Sequence, residues 1–200
     1  LNTHMQEVVT EGSRIISVIA EQMTTEKLFE FEGKIFMDAT GDGTLAFLAG
    51  AEYMRGRQGK EVYGEQHASD ETDHITMGNT LFFKAIDLGE PVPFEKPFWA
   101  NTYTEEDLAR WGHREIDSGY WWFELGGVEE DVIADGEEIK DELLKVVYGV
   151  WDHIKNSGNH HAENYALDWV GFLPGKRESR RVVGDYILKE QDLLAGEVFE

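Results

Sequence analysis

Residues 35–43 have the sequence Ile-Phe-Met-Asp-Ala-Thr-Gly-Asp-Gly, and residues 44–50 continue with Thr-Leu-Ala-Phe-Leu-Ala-Gly. A short apolar run therefore stops at a glycine-containing turn, and small and apolar residues follow it. This order predicts a buried strand that passes through a tight turn into a helix, which is typical of the sheet edge in nucleotide-binding α/β proteins. The predicted fold depends on this stretch, because it marks where a sheet meets a helix.

The same stretch matches a dinucleotide-binding fingerprint in its spacing. Gly41, Gly43 and Ala46 fit the pattern Gly-x-Gly-x-x-Gly/Ala. That fingerprint also needs an acidic residue about 20 positions further on, at the end of the next strand, to bind the ribose. Glu61 and Glu65 stand near that distance, but they follow a polar, glycine-containing loop and not an apolar strand. The sequence therefore favours a tight turn at a sheet edge over a primary pyrophosphate site.

A family resemblance begins at this turn. The segment Asp-Ala-Thr-Gly-Asp-Gly at residues 38–43 resembles the second, Ala-Thr-Gly flavin motif of FAD-dependent oxidoreductases with a glutathione-reductase-like fold. The chain is similar over most of residues 1–190 to a bacterial family of such oxidoreductases. Its most specific segment is Pro-Gly-Lys-Arg-Glu-Ser-Arg-Arg at residues 174–181. The other segments that carry the similarity are residues 77–83, 119–122 and 147–156.

The resemblance implies FAD as the cofactor, and the flavin would do the redox chemistry. It also implies that five residues of the turn pass close to the cofactor and contact it through the backbone. These residues are Ala39, Thr40, Gly41, Asp42 and Gly43. The expected function is an FAD-dependent oxidoreductase that transfers a hydride from an unidentified small-molecule substrate to the flavin.

The resemblance also implies a domain organisation. Family members begin with a strand and a Gly-x-Gly-x-x-Gly turn that carries the FAD pyrophosphate, and no segment before Ile35 fits this pattern. We therefore expect an internal fragment of a longer flavoprotein, inactive alone and weak in FAD binding. Residues 1–54 would be part of the FAD-binding domain and residues 55–200 part of the substrate domain. The expected fold class is an α+β fragment of an α/β FAD-binding protein.

Composition limits the partners. With 18 basic and 40 acidic residues the formal net charge is −22, which argues against nucleic acid and anionic membrane surfaces. No apolar run approaches the roughly 18 residues that span a bilayer. The chain has no cysteine, which excludes disulfides, cysteine-ligated iron–sulfur clusters and a redox-active dithiol within it. The expected partner is a small-molecule substrate, while the compartment and the oligomeric state are left open.

Periodicity and turn residues predict the elements of the chain. A β-meander should occupy residues 4–38, with a fourth, buried strand at its end. The predicted elements are strands at 4–10, 14–20, 28–31 and 34–38, a helix at 45–53, a loop at 55–75, a strand at 77–86, a helix starting at Thr104, a strand at 120–125, a helix at 136–156, and strands at 169–173 and 180–188.

The helix at residues 136–156 has the clearest pattern. Asp135 is its expected N-cap, with Glu138 as the reciprocal partner in a capping box. Gly158 follows its expected end. One apolar stripe runs along the helix and should face the core. The residues of this stripe are Ile139, Leu143, Val146, Val147, Val150 and Ile154.

Arg177, Arg180 and Arg181 are the candidate catalytic segment. If residues 176–183 are extended, Arg177 and Arg181 share one face and Arg180 lies on the other. From the residues alone, an ion-paired surface strand among many acids is the favoured interpretation. The resemblance instead implies that Arg177 or Arg180 faces the flavin or the substrate, where a guanidinium binds carboxylates or stabilises negative charge. The sequence does not decide between these two arginines.

Aromatic and histidine residues give weaker signals. Adjacent residues of a strand point to opposite faces, so at most one of Trp121 and Trp122 should line a cleft, and Trp151 should be in the core. His160 and His161 are neighbours that could join a metal site with Glu163. No His-x-x-x-His spacing supports such a site, and we predict a loop pair without a metal.

Two alternative functions remain open at this stage. Clustered tryptophans would suit a non-catalytic carbohydrate-binding module. A pair among the 40 acidic residues would suit a glycoside hydrolase, whose mechanism depends on the through-space separation of two carboxyl groups. Flavin absorbance would separate the oxidoreductase from both alternatives.

Overall fold

The computed structural model describes residues 1–113, 116 and 119–199. The chain divides into two compact units. The first unit comprises Leu1–Ile75 and the chain from Glu178 onward, and the second comprises Thr76–Arg177.

The described residues contain eight strands in three sheets and four helices, in agreement with the expected α+β class. No helix among these residues is long and apolar enough to cross a membrane. The assignment of residues 1–54 to an FAD-binding domain and of residues 55–200 to a substrate domain stays a prediction. The elements in chain order are β1 (Thr3–Glu11), β2 (Arg14–Gln22), β3 (Lys27–Glu32), α1 (Thr44–Leu48), β4 (Tyr53–Met54), α2 (Lys60–Tyr63), β5 (Asn79–Asp87), β6 (Tyr120–Leu125), α3 (Gly136–Asn156), β7 (Tyr165–Val170), β8 (Arg181–Val182) and α4 (Glu190–Ala195).

The first unit begins with the predicted β-meander. Strands β1, β2 and β3 pair antiparallel in sequence order. The β-branched run of β2 suits a central strand, whose neighbours cover both of its edges. Ser17 on β2 is fully buried and donates a hydrogen bond to the Glu30 carboxylate at 2.6 Å. This bond satisfies a polar group that would otherwise be costly to bury.

The predicted buried strand at residues 34–38 is wrong. The segment has no strand pairing within the described part of the chain, and the side chains of Ile35 and Met37 are 90% and 86% exposed. An apolar run becomes a strand only when another strand takes up its backbone groups, and here none does.

The predicted helix at residues 45–53 is too long. Helix α1 ends at Leu48, and Gly50 follows with a φ of +77°, a left-handed conformation that favours glycine and ends the helix. Tyr53 then enters β4, which pairs antiparallel with β8 through Tyr53 and Val182. The predicted loop at residues 55–75 contains the short helix α2.

The second unit is built around an antiparallel sheet with the order β6-β5-β7. Helix α3 packs against β5 and β6. Phe83 of β5 stacks on Trp121 of β6 with ring centroids 5.0 Å apart, and Trp151 of α3 meets Phe83 edge-on. Trp121 and Trp151 are buried while Trp122 is 64% exposed, as the alternation of strand residues predicts.

Helix α3 has the predicted bounds, and its predicted stripe faces the core. Five of the six stripe residues are buried, and Val146 is half-buried. The predicted capping box is wrong, because the N-cap Asp135 side chain makes no cap hydrogen bond. Its carboxylate instead accepts the backbone N–H of Asp131 at 2.7 Å, in the turn that precedes the helix.

Three other predicted elements differ from the structure. Strand β7 begins at Tyr165 and ends at Val170, because its register is set by pairing with β5 and not by its own pattern. Strand β8 has only two residues, where residues 180–188 were predicted. The predicted helix start at Thr104 is a hydrogen-bonded turn, in which the Asp107 carboxylate accepts from the Thr104 hydroxyl and backbone N–H.

We expect Leu143→Ala to destabilise the second unit by about 2–5 kcal/mol, because the substitution opens a cavity at a fully buried position. All six tryptophans lie in this unit, so tryptophan fluorescence during denaturant unfolding reports on it selectively. Asp141→Ala on the exposed side of α3 is the matched control. A midpoint shift for Leu143→Ala no larger than that of the control would contradict the proposed packing.

Candidate functional site

The turn at residues 38–43 is organised by the Asp38 carboxylate. Its Oδ1 accepts hydrogen bonds from the Thr40 backbone N–H at 3.0 Å and the Thr40 hydroxyl at 2.7 Å. Its Oδ2 accepts the backbone N–H of Ala46 at 3.0 Å, which ties the turn to α1. Partial burial opposes ionisation, but the hydrogen bonds from Ala46, Thr40 and Leu45 outweigh it and lower the pKa of Asp38. The stabilisation by Asp38 is therefore lost only when the pH falls through this lowered pKa.

The two glycines of the turn have different surroundings. Gly41 and Gly43 adopt φ values of +87° and +62°, the left-handed region that favours glycine. A Cβ on Gly41 would meet nothing within 4 Å, whereas one on Gly43 would lie 3.3 Å from a methyl group of Val182. Among the described residues, no hydrogen bond takes up the N–H of either glycine. Gly41 therefore presents backbone to open space, while Gly43 packs on β8.

Residues just before strand β8 contact this turn. The Ser179 hydroxyl donates a hydrogen bond to the Asp42 carboxylate at 2.8 Å, and both residues are buried. The Arg180 guanidinium donates to the backbone carbonyl of Asp42 at 3.3 Å. It also lies 3.9 Å above the ring centroid of Phe47, a cation–π contact with α1. The structure thus brings Arg180 together with the predicted cofactor-binding turn.

The other two arginines of the segment lie elsewhere. Arg181 donates a hydrogen bond to the backbone carbonyl of Gly56 and pairs through β8 with Met54. Arg177 is exposed and belongs to the second unit. The predicted common face of Arg177 and Arg181 requires an extended run over residues 176–183, and strand β8 covers only two of those residues.

A comparison with known protein families shows which family the chain belongs to. A family model described as FAD dependent oxidoreductase matches residues 1–200. The chain belongs to the FAD-dependent oxidoreductase family. The family implies FAD as the cofactor and a flavin oxidoreductase in general terms, in agreement with the resemblance noted in the sequence. Comparisons with curated proteins and with solved structures give no match.

The turn of this FAD-dependent oxidoreductase suits a cofactor that is contacted through the backbone. Ala39, Thr40 and Gly41 are exposed, and the open space beside Gly41 admits a group that a side chain would obstruct. The Thr40 hydroxyl accepts the N–H of Thr44, and the Asp42 carboxylate binds Ser179, so both side chains hold the turn in shape. The role of residues 39–43 in cofactor binding stays a prediction.

Four other side chains meet in the second unit, and one of them is His160, for which the sequence predicts a loop pair without a metal. Glu105, His113, His153 and His160 each offer one ligand atom, and these atoms lie within 4.8 Å of one another. Burial and the neighbouring His153 lower the pKa of the His160 imidazole. His161, its predicted partner, is exposed and lies outside the group. The sequence did not predict this group, because its four residues come from separate parts of the unit and have no regular spacing.

Ser179→Ala should loosen the contact between the turn and β8. The substitution removes a buried hydrogen bond to a carboxylate, worth about 1–3 kcal/mol of local opening free energy. Amide hydrogen exchange followed by mass spectrometry should therefore accelerate in peptides covering residues 38–48 and 178–183. Ser13→Ala, at an exposed turn of the meander, is the control. Unchanged exchange in both peptides would show that this contact does not hold the turn.

Proposed function

We propose that this chain is part of an enzyme that oxidises a small molecule by transferring a hydride from a substrate C–H bond to FAD. The proposal rests on family membership and on one observation of geometry. That observation is the contact of Ser179 and Arg180 with Asp42 of the turn, across 137 and 138 positions of sequence. It joins the turn at which the resemblance to flavoenzymes begins to the segment at residues 174–181, which is the most specific part of that resemblance.

The roles of the residues follow from what surrounds them. The backbone of residues 39–43 would hold the cofactor, with Gly41 offering an N–H and open space. The buried Asp42 carboxylate fixes the turn through Ser179 and leaves cofactor contact to the backbone. When bound, FAD would provide the two-electron acceptor for the hydride, and residues 39–43 would hold it.

Arg180 would supply positive charge beside the cofactor. Phe47 and the Asp42 carbonyl fix its guanidinium, so the side chain loses little further freedom when a ligand binds. A guanidinium is always charged and carries five N–H donors, of which the Asp42 carbonyl takes one. A fixed positive charge favours a flavin that gains negative charge on reduction.

The contacts of Arg180 with Asp42 and Phe47 lie within one unit, whereas Arg177 is exposed and belongs to the second unit. We therefore assign the charge-stabilising role to Arg180. Family membership likewise favours the flavin enzyme over the carbohydrate-binding module and the glycoside hydrolase that the sequence left open.

The test compares Arg180→Gln with Arg180→Lys and Arg177→Gln in the protein after it has been loaded with FAD. We expect Arg180→Gln to lower the flavin reduction potential by about 30 mV, which corresponds to roughly tenfold in the equilibrium between oxidised and reduced flavin. Arg180→Lys keeps the charge and should lower it less. The measurement is a dye-coupled reductive titration followed by flavin absorbance.

Three outcomes would contradict parts of the proposal. If the protein stays colourless after incubation with FAD, it does not bind the cofactor and the proposal is wrong on that point. An unchanged potential in Arg180→Gln removes Arg180 from the flavin environment. A larger shift in Arg177→Gln than in Arg180→Gln would assign the charge to the other arginine. Circular dichroism of each variant confirms that the fold is kept.

A further inference from the structure

Three imidazoles and one carboxylate converge in the second unit, and we call Glu105, His113, His153 and His160 the histidine cluster. The Glu105 carboxylate is at its centre. One of its oxygens lies 2.9 Å from Nε2 of His153 and 3.4 Å from Nε2 of His160, and the other lies 3.5 Å from Nε2 of His113. The three Nε2 atoms therefore approach one small volume.

The three rings are arranged alike around that volume. Their centroids are 5.1–5.3 Å apart in all three pairs, and each pair is inclined by 63–66°. Each histidine side chain is at most 5% exposed, while that of Glu105 is 38% exposed. The cluster is thus enclosed on the imidazole side and reaches solvent through the carboxylate.

Hydrogen bonds fix which ring nitrogens carry protons. Nδ1 of His113 lies 2.8 Å from the carbonyl oxygen of Trp111, and Nδ1 of His153 lies 3.2 Å from that of Tyr103. A carbonyl oxygen only accepts, so each Nδ1 must donate a proton. In a neutral ring Nε2 is then a lone-pair acceptor. Imidazoles oriented in this way by carbonyl groups are typical of metal ligands.

A proton or a cation must lie between His153 and Glu105. Nε2 of a neutral His153 and an ionised Glu105 oxygen both accept, yet they lie 2.9 Å apart. A proton on His153 would resolve this one pair. Within the described part of the chain, the buried Nε2 atoms of His113 and His160 would still lack a hydrogen-bond partner. A metal ion would accept the lone pairs of all four groups at once.

We propose that the histidine cluster binds one divalent transition-metal ion, with Zn²⁺ as the preferred ion. Tetrahedral zinc with bonds of about 2.0–2.1 Å to nitrogen and oxygen places its ligand atoms about 3.3 Å apart. The Nε2 atoms of His153 and His160 lie 2.9 and 3.4 Å from the same Glu105 oxygen, on both sides of that value. Since all four ligand atoms lie within 4.8 Å of one another, small side-chain rotations suffice for the rest.

The donor set selects the class of ion. Imidazole suits zinc, iron, nickel and copper, whereas calcium and magnesium prefer an all-oxygen shell. Three imidazoles and a carboxylate fill a tetrahedral shell with protein atoms, and closed shells of this kind are structural sites. The ion would therefore join separate segments of the unit and would not need FAD.

The segments that carry the ligands are held in place before any ion binds. Glu105 follows Thr104, whose hydroxyl and N–H bind the Asp107 carboxylate at 2.7 and 2.8 Å. The buried ammonium of Lys155, in the last turn of α3, donates to the carbonyl oxygens of Ala162 and Glu163 at 2.8 and 2.6 Å. This fixes the loop with His160 against the helix end that carries His153. Such prior ordering favours tight binding.

The primary experiment uses the chain after treatment with a chelator. Incubation with one equivalent of zinc sulfate, gel filtration and elemental analysis should recover about one zinc ion per chain, because the four ligands form a single site. The thermal midpoint of the second unit, followed by tryptophan fluorescence, should rise by several degrees. Cobalt(II) should give the visible bands of four-coordinate cobalt, and calcium should change neither property.

Matched variants separate the cluster from surface histidines and acids. His160→Asn and Glu105→Gln should weaken zinc binding about tenfold or more and remove the rise in thermal midpoint. His161→Asn and Glu106→Gln change neighbouring residues outside the cluster and should keep both properties. Asparagine is chosen at residue 161 because this position has a φ of +53°, which asparagine tolerates.

Two results would overturn the proposal. One is a wild-type chain that retains no zinc and shows no change in thermal midpoint. The other is a His161→Asn or Glu106→Gln variant that loses as much zinc as its partner in the cluster, which would indicate binding at the surface. If His160→Asn does not fold, Glu105→Gln decides, because its side chain is partly exposed and keeps its shape.

Discussion

The contact between Asp42 and the Ser179–Arg180 segment is the interaction on which the candidate flavin site depends. It joins parts of the chain 137 positions apart within one unit. Closing so long a loop costs conformational entropy, and a buried, charge-assisted hydrogen bond offsets part of that cost. The same contact holds the Arg180 guanidinium over Phe47. Without it, the turn and the arginine would be two unrelated surface features.

In the second unit, the packing of the apolar core determines where the buried polar groups lie. A core of aliphatic and aromatic side chains sets the position of α3 against the sheet, and the last turn of α3 carries His153 and Lys155. Both side chains are buried at the margin of that core. Polar atoms in such surroundings are costly unless they find partners. Lys155 finds two carbonyl groups, and the imidazoles find one another and a carboxylate.

The sequence predicted elements where local periodicity was strong. Helix α3 and strand β6 have the predicted bounds, and the meander has the predicted order. The prediction failed where pairing with a distant strand determines the structure, as at residues 34–38 and in the register of β7. The prediction also failed for the histidine cluster, because its ligands lie on one turn, on helix α3 and on two loop segments. The sequence spacing of the three histidines does not predict that their imidazole rings meet, because the packing of α3 brings them together.

The exposed apolar side chains of Ile35 and Met37 affect how copies of this chain behave toward each other in solution. Hydrophobic groups on a segment that pairs with no strand in the described part of the chain can contact the same groups on a second copy. A net charge of −22 opposes that encounter, since every copy repels every other. At 1 M salt the Debye length is about 3 Å, so this repulsion is screened beyond that distance. The hydrophobic side chains stay exposed. Raising the ionic strength therefore weakens the electrostatic repulsion between copies and leaves the hydrophobic attraction in place.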